Sequence, residues 1–227
     1  VTLVLDALAR VGLSTRSACG HTVRNVMCSE DAGVGLDEPF DCFPDARLIS
    51  DALVSRSAEL NVTLPSRLNV ALGGSPRCRH DALVNDVGLV SMVVEGEPGY
   101  EMWAGGSLGK SPSLAVLLAP FIPRRQVLAA VEALVDVYVA HGNIDEPTKG
   151  RLKFLIDKLG ADQFRALWQQ AFAAAAAPAD GNGNGDNNGN GGTDARQRPP
   201  VPPVAVLDEV DRAAVLAQVP PGGWSAG

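Results

Sequence analysis

A chain of 227 residues can bury one substantial hydrophobic core and still carry shorter segments outside it. Its net charge of -7 and its pI near 4.9 argue against a general polyanion-binding surface, so we expect no nucleic acid among its partners. No apolar stretch approaches the roughly 20 residues that cross a bilayer, which predicts no membrane-spanning segment.

The first part of the chain predicts two helices with a polar segment between them. Thr2–Val11 repeats apolar residues at helical spacing and stops at Gly12. Because the chain opens directly in this pattern without an initiator methionine, we expect an N-terminal truncation. Asp45–Leu60 has helical spacing again, and Pro44 suits its start. The segment between them contains GHTVRN, Gly20–Asn25, which we predict to be a turn.

Alternating apolar residues predict three strands in the middle of the chain. Arg67–Leu72 reads as a strand that ends at a glycine pair. Val87–Val94 and Tyr100–Ala104 follow, and the turn residues Glu95–Gly99 between them predict a hairpin.

Three helices follow the strands. Arg124–Ala140 carries one continuous apolar stripe, and Glu146–Leu159 and Ala161–Phe172 form two more helices around a glycine. The predicted fold class is therefore α+β, a mixed and largely antiparallel sheet flanked by helices.

The composition changes abruptly near residue 177. The run GNGNGDNNGNGGTD cannot bury enough apolar surface to offset its ordering entropy, and the proline-rich stretch after it is a stiff spacer. We predict a disordered linker over 177–203. Val204–Val219 has a weak helical pattern and GGWSAG ends the chain, so we expect residues 204–227 to begin another domain.

The cysteine pattern predicts no metal site. The four cysteines lack the paired spacing of zinc ligands and follow no secretory signal: Cys19, Cys28, Cys42 and Cys78. We therefore expect reduced thiols and a soluble, cytoplasmic protein.

Arg24, in GHTVRN, is the first candidate for ligand binding. Its guanidinium presents a fixed fork of donors that suits carboxylates and keeps its charge. Gly20 lets the backbone approach closely. The residues alone leave open the alternative of an exposed arginine in a surface turn.

Arg67 and Asn69 form the second candidate site. Side chains two positions apart on a strand point the same way, so these two could grip one ligand. The alternative is the solvated face of a half-buried strand.

Two glycine-containing loops are further candidates. GGSPRCRH, Gly73–His80, surrounds Cys78 with cations that would favour a thiolate, but no partner cysteine is near in sequence. GGSLGKS, Gly105–Ser111, resembles a phosphate-binding loop, yet Ala104 stands where the pattern needs glycine and a proline follows. We reject a nucleotide site there.

Several segments, in order, resemble one family. GHTVRNVMC, LPSRLNVALGGSP, VNDVGLV, WAGGSLGKSP, HGNIDEPTKGRLKFLIDKLG and GGWSAG are similar to the first half of siroheme-dependent, ferredoxin-type nitrite or sulfite reductases. The resemblance covers Leu13 to about Phe172 and the last few residues.

The resemblance implies an architecture and cofactors. Such enzymes have two related halves that share a siroheme and an adjacent 4Fe-4S cluster. Residues 1–13 would end a ferredoxin-like half-domain, 14–176 would form the first large α/β domain, and 204–227 would open the second half. The cluster ligands are expected in the missing second half, so no cysteine here is assigned as a metal ligand.

The resemblance also implies residue roles. Arg24, followed by Asn25, stands where the family's arginine contacts a siroheme carboxylate. Arg67 and Asn69 stand at the positions of two active-site lysines that bind the substrate anion and supply protons. Arginine holds its proton too tightly to donate it readily, and asparagine carries no charge. His21 replaces the usual aspartate. These three departures bear on activity.

The implied activity is six-electron reduction of nitrite to ammonia or of sulfite to sulfide, with electrons from ferredoxin or a flavoprotein. We expect the isolated chain to be inactive. Two alternatives remain open at this point: an enzyme similar to the precorrin-3B synthase of cobalamin biosynthesis, and a degenerate half that serves as a non-catalytic scaffold.

Overall fold

The computed structural model describes residues 2–11 and 20–176, which fall into two units. The first contributes helix α1 (Thr2–Arg10), which confirms the predicted opening helix and has a basic residue in its last turn. The second contains everything from residue 20 to residue 176. The predicted linker and the predicted helix Val204–Val219 lie outside the described residues.

A mixed five-stranded sheet, in the order β1-β2-β3-β4-β5, forms the centre of the second unit. The first three strands run parallel to one another, and β3–β4 and β4–β5 are antiparallel. The mixed sheet and the predicted hairpin are confirmed, although parallel and antiparallel pairings are equal in number. The strands are β1 (Val23–Cys28), β2 (Leu68–Gly73), β3 (Val87–Val94), β4 (Glu97–Ala104) and β5 (Val116–Pro123).

Helices cover the sheet, and one long buried helix lies at the middle of their packing. This helix, α5, buries eight of its residues, and Trp168 of α7 donates a hydrogen bond to the Ala130 carbonyl at 3.0 Å. No helix in residues 2–11 and 20–176 combines the length and apolar character needed to cross a membrane. The helices are α2 (Phe43–Ser55), α3 (Ser57–Thr63), α4 (Arg79–Leu83), α5 (Val127–His141), α6 (Leu152–Leu159) and α7 (Ala161–Ala176).

The two faces of the sheet differ in what they carry. Alternate side chains of a strand lie on the same face, and Leu68, Val70 and Leu72 of β2 all enter the main core with the helices. Asn69 therefore lies on the other face. On β3, helix α4 comes close to the backbone, because a Cβ built on Gly88 would lie 2.3 Å from the Ala82 carbonyl oxygen.

Strands β1 and β5 were missed by the sequence patterns. GHTVRN is a bend only over residues 20–22, and Val23 begins a strand, so the predicted turn is wrong beyond that point. β1 is an edge strand whose exposed residues do not alternate regularly, and β5 contains Pro120, which an edge strand tolerates. The predicted helix Asp45–Leu60 is divided at Arg56 into α2 and α3.

Gly88→Ala tests the close contact between β3 and α4. The new methyl group would meet backbone atoms of Ala82 at 2.3 to 2.6 Å, and backbone cannot move aside like a flexible side chain. We expect the free energy of unfolding, measured by urea denaturation, to fall by about 1 to 3 kcal/mol. Gly109→Ala is the control, because its methyl group would meet only the Ser107 hydroxyl at 3.7 Å. Equal stability of the two variants would contradict this packing.

Candidate functional site

The structure brings the two predicted binding segments together on neighbouring strands. Asn25 of β1 lies opposite Asn69 of β2 in the parallel ladder, and Val23 lies opposite Leu68. The register shifts between Val23 and Asn25, so Arg24 sits at an irregularity in the edge strand. Its side chain is exposed to solvent.

The bend before β1 is tied to the loop before β2. His21 donates from Nδ1 to the Leu64 carbonyl oxygen at 2.8 Å, and the Leu68 backbone amide donates to the Thr22 carbonyl at 2.9 Å. A carbonyl can only accept, so Nδ1 must carry the hydrogen. An ionised aspartate at position 21 could not make this contact, and the histidine therefore has a structural role in holding the two segments together.

Two glycines of the α5–α6 connection pack closely against Pro65, in the loop before Arg67. A Cβ on Gly142 would lie 2.3 Å from Pro65 Cγ, and one on Gly150 would lie 2.5 Å from the Pro65 carbonyl oxygen. The Tyr138 hydroxyl also donates to the Gly150 carbonyl at 2.8 Å. The entry into β2 is thus fixed by close backbone contacts.

Asp86, just before β3, accepts hydrogen bonds from two directions. Arg151, at the N-terminus of α6, donates from Nη2 to both carboxylate oxygens at 2.8 and 2.9 Å, and its Nε reaches Oδ1 at 3.1 Å. The Asn69 backbone amide donates to Oδ2 at 3.0 Å. The Asp86 side chain has no exposure and that of Arg151 is 12% exposed, so the pair is a buried, bidentate salt bridge.

Burial raises the pKa of Asp86, because a carboxylate away from water loses its hydration. The charge and hydrogen bonds of Arg151, the Asn69 backbone amide and the charge of Arg67 all act in the opposite direction and favour the ionised form. The negative charge is thus held in the interior by donors of the protein rather than by solvent.

The sequence patterns did not single out Asp86 or Arg151. Both lie in segments that carried the family resemblance, VNDVGLV and GRLKFLIDKLG. An aspartate directly before a continuous apolar strand is a signal that could have identified Asp86. Its partner could not be found from spacing, because 65 residues separate the two.

Arg24 and Arg67 differ from Arg151 in lacking a carboxylate partner. Within residues 2–11 and 20–176, neither side chain makes a hydrogen bond or ion pair. Arg24 is exposed and Arg67 is half-buried. Guanidinium groups without partners beside the side-chain amides of Asn25 and Asn69 form a donor set suited to carboxylates or small oxyanions. This chemistry fits a cofactor that carries several carboxylates.

The cysteines of the described residues do not form a metal centre. Burial raises the pKa of Cys42 to about 12 and also raises that of Cys28, so both favour the thiol over the metal-binding thiolate. No group of three or more histidine, cysteine or acidic side chains within residues 2–11 and 20–176 could hold a metal ion. Cys19 lies outside the described residues.

The loop that resembles a phosphate-binding segment is a closed turn. Ser107 and Ser113 pair across it with backbone hydrogen bonds of 2.8 and 2.9 Å, and Lys110 is exposed at its tip. The segment after Lys110 leads into strand β5 and not into a helix, unlike a nucleotide-binding loop.

Residues 19–174 match the family model described as the nitrite and sulphite reductase 4Fe-4S domain. The chain belongs to this family. The match spans the whole sheet and helices α2 to α6, and it ends within α7. The predicted family and fold class are therefore confirmed.

Curated relatives agree with this assignment. The chain is 32% identical over 166 residues to sulfite reductase [ferredoxin] 1 of Mycolicibacterium paratuberculosis, covering 73% of this chain and 29% of that protein. It is 32% identical over 168 residues to ferredoxin–nitrite reductase of Leptolyngbya laminosa, covering 71% and 32%. The chain thus spans about a third of the length of these relatives.

Solved structures share the fold. The NirA protein of Mycobacterium tuberculosis aligns with a TM-score of 0.67 at 29% identity, covering 76% of this chain and 31% of that one. Dissimilatory sulfite reductase I aligns with a TM-score of 0.54 at 11% identity, covering 73% and 56%, which supports the fold alone.

Asp86→Ala tests the importance of the buried pair. Removing the carboxylate leaves the Arg151 charge and the Asn69 backbone amide without their partner, and we expect a loss of about 3 to 5 kcal/mol in the free energy of unfolding. Urea denaturation measures this loss. Asp162→Ala is the control, since Asp162 also pairs with an arginine, Arg165 at 2.7 Å, but its side chain is 99% exposed. A loss no larger than that of the control would contradict a structural role for Asp86.

Proposed function

We propose that residues 14–176 form the first large domain of a siroheme-dependent nitrite or sulfite reductase and that this domain binds siroheme carboxylates. The proposal rests on two arginines that form no salt bridge with a carboxylate in the described residues. Arg24 lies in β1, and Arg67 directly precedes the adjacent parallel strand β2. Family membership over residues 19–174 supports it.

Arg24 and Asn25 are the proposed cofactor contacts. The exposed guanidinium group of Arg24 on the edge strand has several hydrogen-bond donors without partners in the described residues. Asn25 adds a side-chain amide, and its backbone pairs in register with Asn69. Siroheme, when bound, supplies the iron and macrocycle that carry the redox chemistry. Arg24 and Asn25 would neutralise its carboxylates and donate hydrogen bonds to them.

Arg67 and Asn69 are the proposed substrate-facing residues. Arg67 attracts a small anion, and the Asn69 side-chain amide can donate a hydrogen bond to it. Neither residue is a ready proton donor, because arginine side chains keep their positive charge in proteins and an amide group is not acidic. In this proposal, the protons consumed in reducing nitrite or sulfite come from other groups.

The complete enzyme would contain a second, related half. That half would hold the 4Fe-4S cluster next to siroheme, and the linker over 177–203 would join the halves. The curated relatives are named for ferredoxin together with sulfite or nitrite, so a ferredoxin-type donor and one of these anions are the proposed partners. A flavoprotein donor is the alternative source of electrons.

Titration with siroheme tests the proposal. We expect the absorbance of siroheme to change on binding the chain, and Arg24→Ala to weaken binding about tenfold, as befits a charge-assisted hydrogen bond. Arg47→Ala, which removes an exposed arginine on α2, is the control and should bind like the wild type.

Equal affinity of the wild type and Arg24→Ala would remove Arg24 from the cofactor site. No binding by the folded wild-type chain would contradict cofactor binding by this domain and would favour the non-catalytic scaffold.

A further inference from the structure

The buried pair lies next to a residue of the proposed substrate site. Asp86 accepts a hydrogen bond from the Asn69 backbone amide at 3.0 Å, and Arg67 lies only two positions before Asn69, so its charge also acts on the carboxylate. A buried carboxylate attracts any nearby guanidinium strongly, since the interior screens charge less than water does. Two arginines, Arg67 and Arg151, could therefore compete for Asp86.

Arg151 occupies the carboxylate together with one backbone amide. Oδ1 accepts from Nε and Nη2 of Arg151, and Oδ2 accepts from Nη2 and from the Asn69 backbone amide. Each oxygen therefore has two donors, which matches its two lone pairs. Arg67 makes no hydrogen bond or ion pair within the described residues, so its guanidinium acts on Asp86 only through its charge.

We propose that Arg151 is a positioning residue that keeps Arg67 available for an anionic ligand by saturating Asp86, an inference that rests on the proposed role of Arg67 in binding substrate. Asp86 in turn holds β2 at Asn69. Its side chain accepts the Asn69 backbone amide one residue before the backbone ladder between β2 and β3 begins at Val70 and Val87. The Asp86 carboxylate thus holds β2 in place without forming a salt bridge with Arg67.

This arrangement predicts how each substitution changes the availability of Arg67. In Arg151→Gln, Asp86 loses its charged partner, and Arg67 is the other cation whose charge acts on it, so Arg67 should turn to Asp86 and leave the ligand site. In the double variant Asp86→Asn/Arg151→Gln, no carboxylate remains to capture Arg67, which should become available again. A merely structural role for Arg151 predicts no such rescue.

The first experiment needs no ligand. The side-chain Nε–H signal of Arg67 is followed by NMR in the ¹⁵N-labelled full chain. We expect a downfield shift and slower exchange with water in Arg151→Gln, and a return to the wild-type signal in the double variant. Arg77→Gln, which breaks an exposed ion pair with Asp37, is the control and should leave Arg67 unchanged. An unchanged Arg67 signal in Arg151→Gln would overturn the proposal.

A more conservative variant, Arg151→Lys, provides the test if Arg151→Gln does not fold. Arg151→Lys keeps the charge but replaces the two-pronged contact with a single donor group, so it leaves one Asp86 oxygen partly free. If Arg151→Gln does not fold, we expect a smaller downfield shift of Arg67 in Arg151→Lys. The absence of any shift in that variant would likewise overturn the proposal.

The second experiment adds sodium sulfite to the same proteins. Affinity, read from the Arg67 signal, should fall about tenfold in Arg151→Gln and recover in the double variant. An affinity equal to wild type in Arg151→Gln would overturn the inference. If the wild-type signal does not respond to sulfite at all, the proposed role of Arg67 fails instead, and the ligand-free experiment still decides whether Arg151 holds Asp86 away from Arg67.

Discussion

The charge of Asp86 must be satisfied inside the protein, because its side chain has no contact with solvent. Arg151 and the Asn69 backbone amide satisfy it, and the backbone carbonyl of Asp86 also accepts from the Gly105 amide at 2.8 Å. Through this one residue, β2, β3, the end of β4 and the start of α6 are joined. Removing the carboxylate would leave a charged guanidinium and a backbone amide unpaired together, so these elements depend on one another.

The need to neutralise buried Asp86 distinguishes Arg151 from Arg24 and Arg67. Arg151 forms a buried salt bridge, whereas Arg24 and Arg67 make no hydrogen bond or ion pair in the described residues. The free arginines lie at an edge strand and at the entry to its neighbour, and both segments are fixed by contacts of their backbones or of His21. Donors held on rigid strands can be aimed at a ligand with little loss of conformational freedom. This arrangement gives the proposed cofactor and substrate contacts their physical basis.

The long helices and the β3–β4 hairpin could be predicted from sequence because each is encoded by local periodicity, whereas the five-residue helix α4 was missed. Val87–Val94 is a nearly continuous apolar strand, and Val127–His141 carries a continuous buried stripe. β1 could not be predicted, since it is a polar edge strand defined by pairing with β2, a partner more than 40 positions along the chain. For the proposed site, residue types and resemblance predict Arg24, Asn25, Arg67 and Asn69, and this remains a prediction. Asp86 and Arg151 act across 65 residues, and only the folded chain brings them together.

The most direct test of cofactor binding at β1 and β2 is a map of siroheme contacts on the chain by ¹H–¹⁵N NMR. If Arg24 and Arg67 face the cofactor, added siroheme should perturb the amide signals of Arg24 and Asn25 and of Arg67 to Asn69 most strongly. A cavity of about 420 Å³ lies elsewhere in the second unit and is lined by Asp45, Glu97, Arg124 and Arg125 among others. Perturbations confined to that cavity, with β1 and the start of β2 unchanged, would contradict the proposed site.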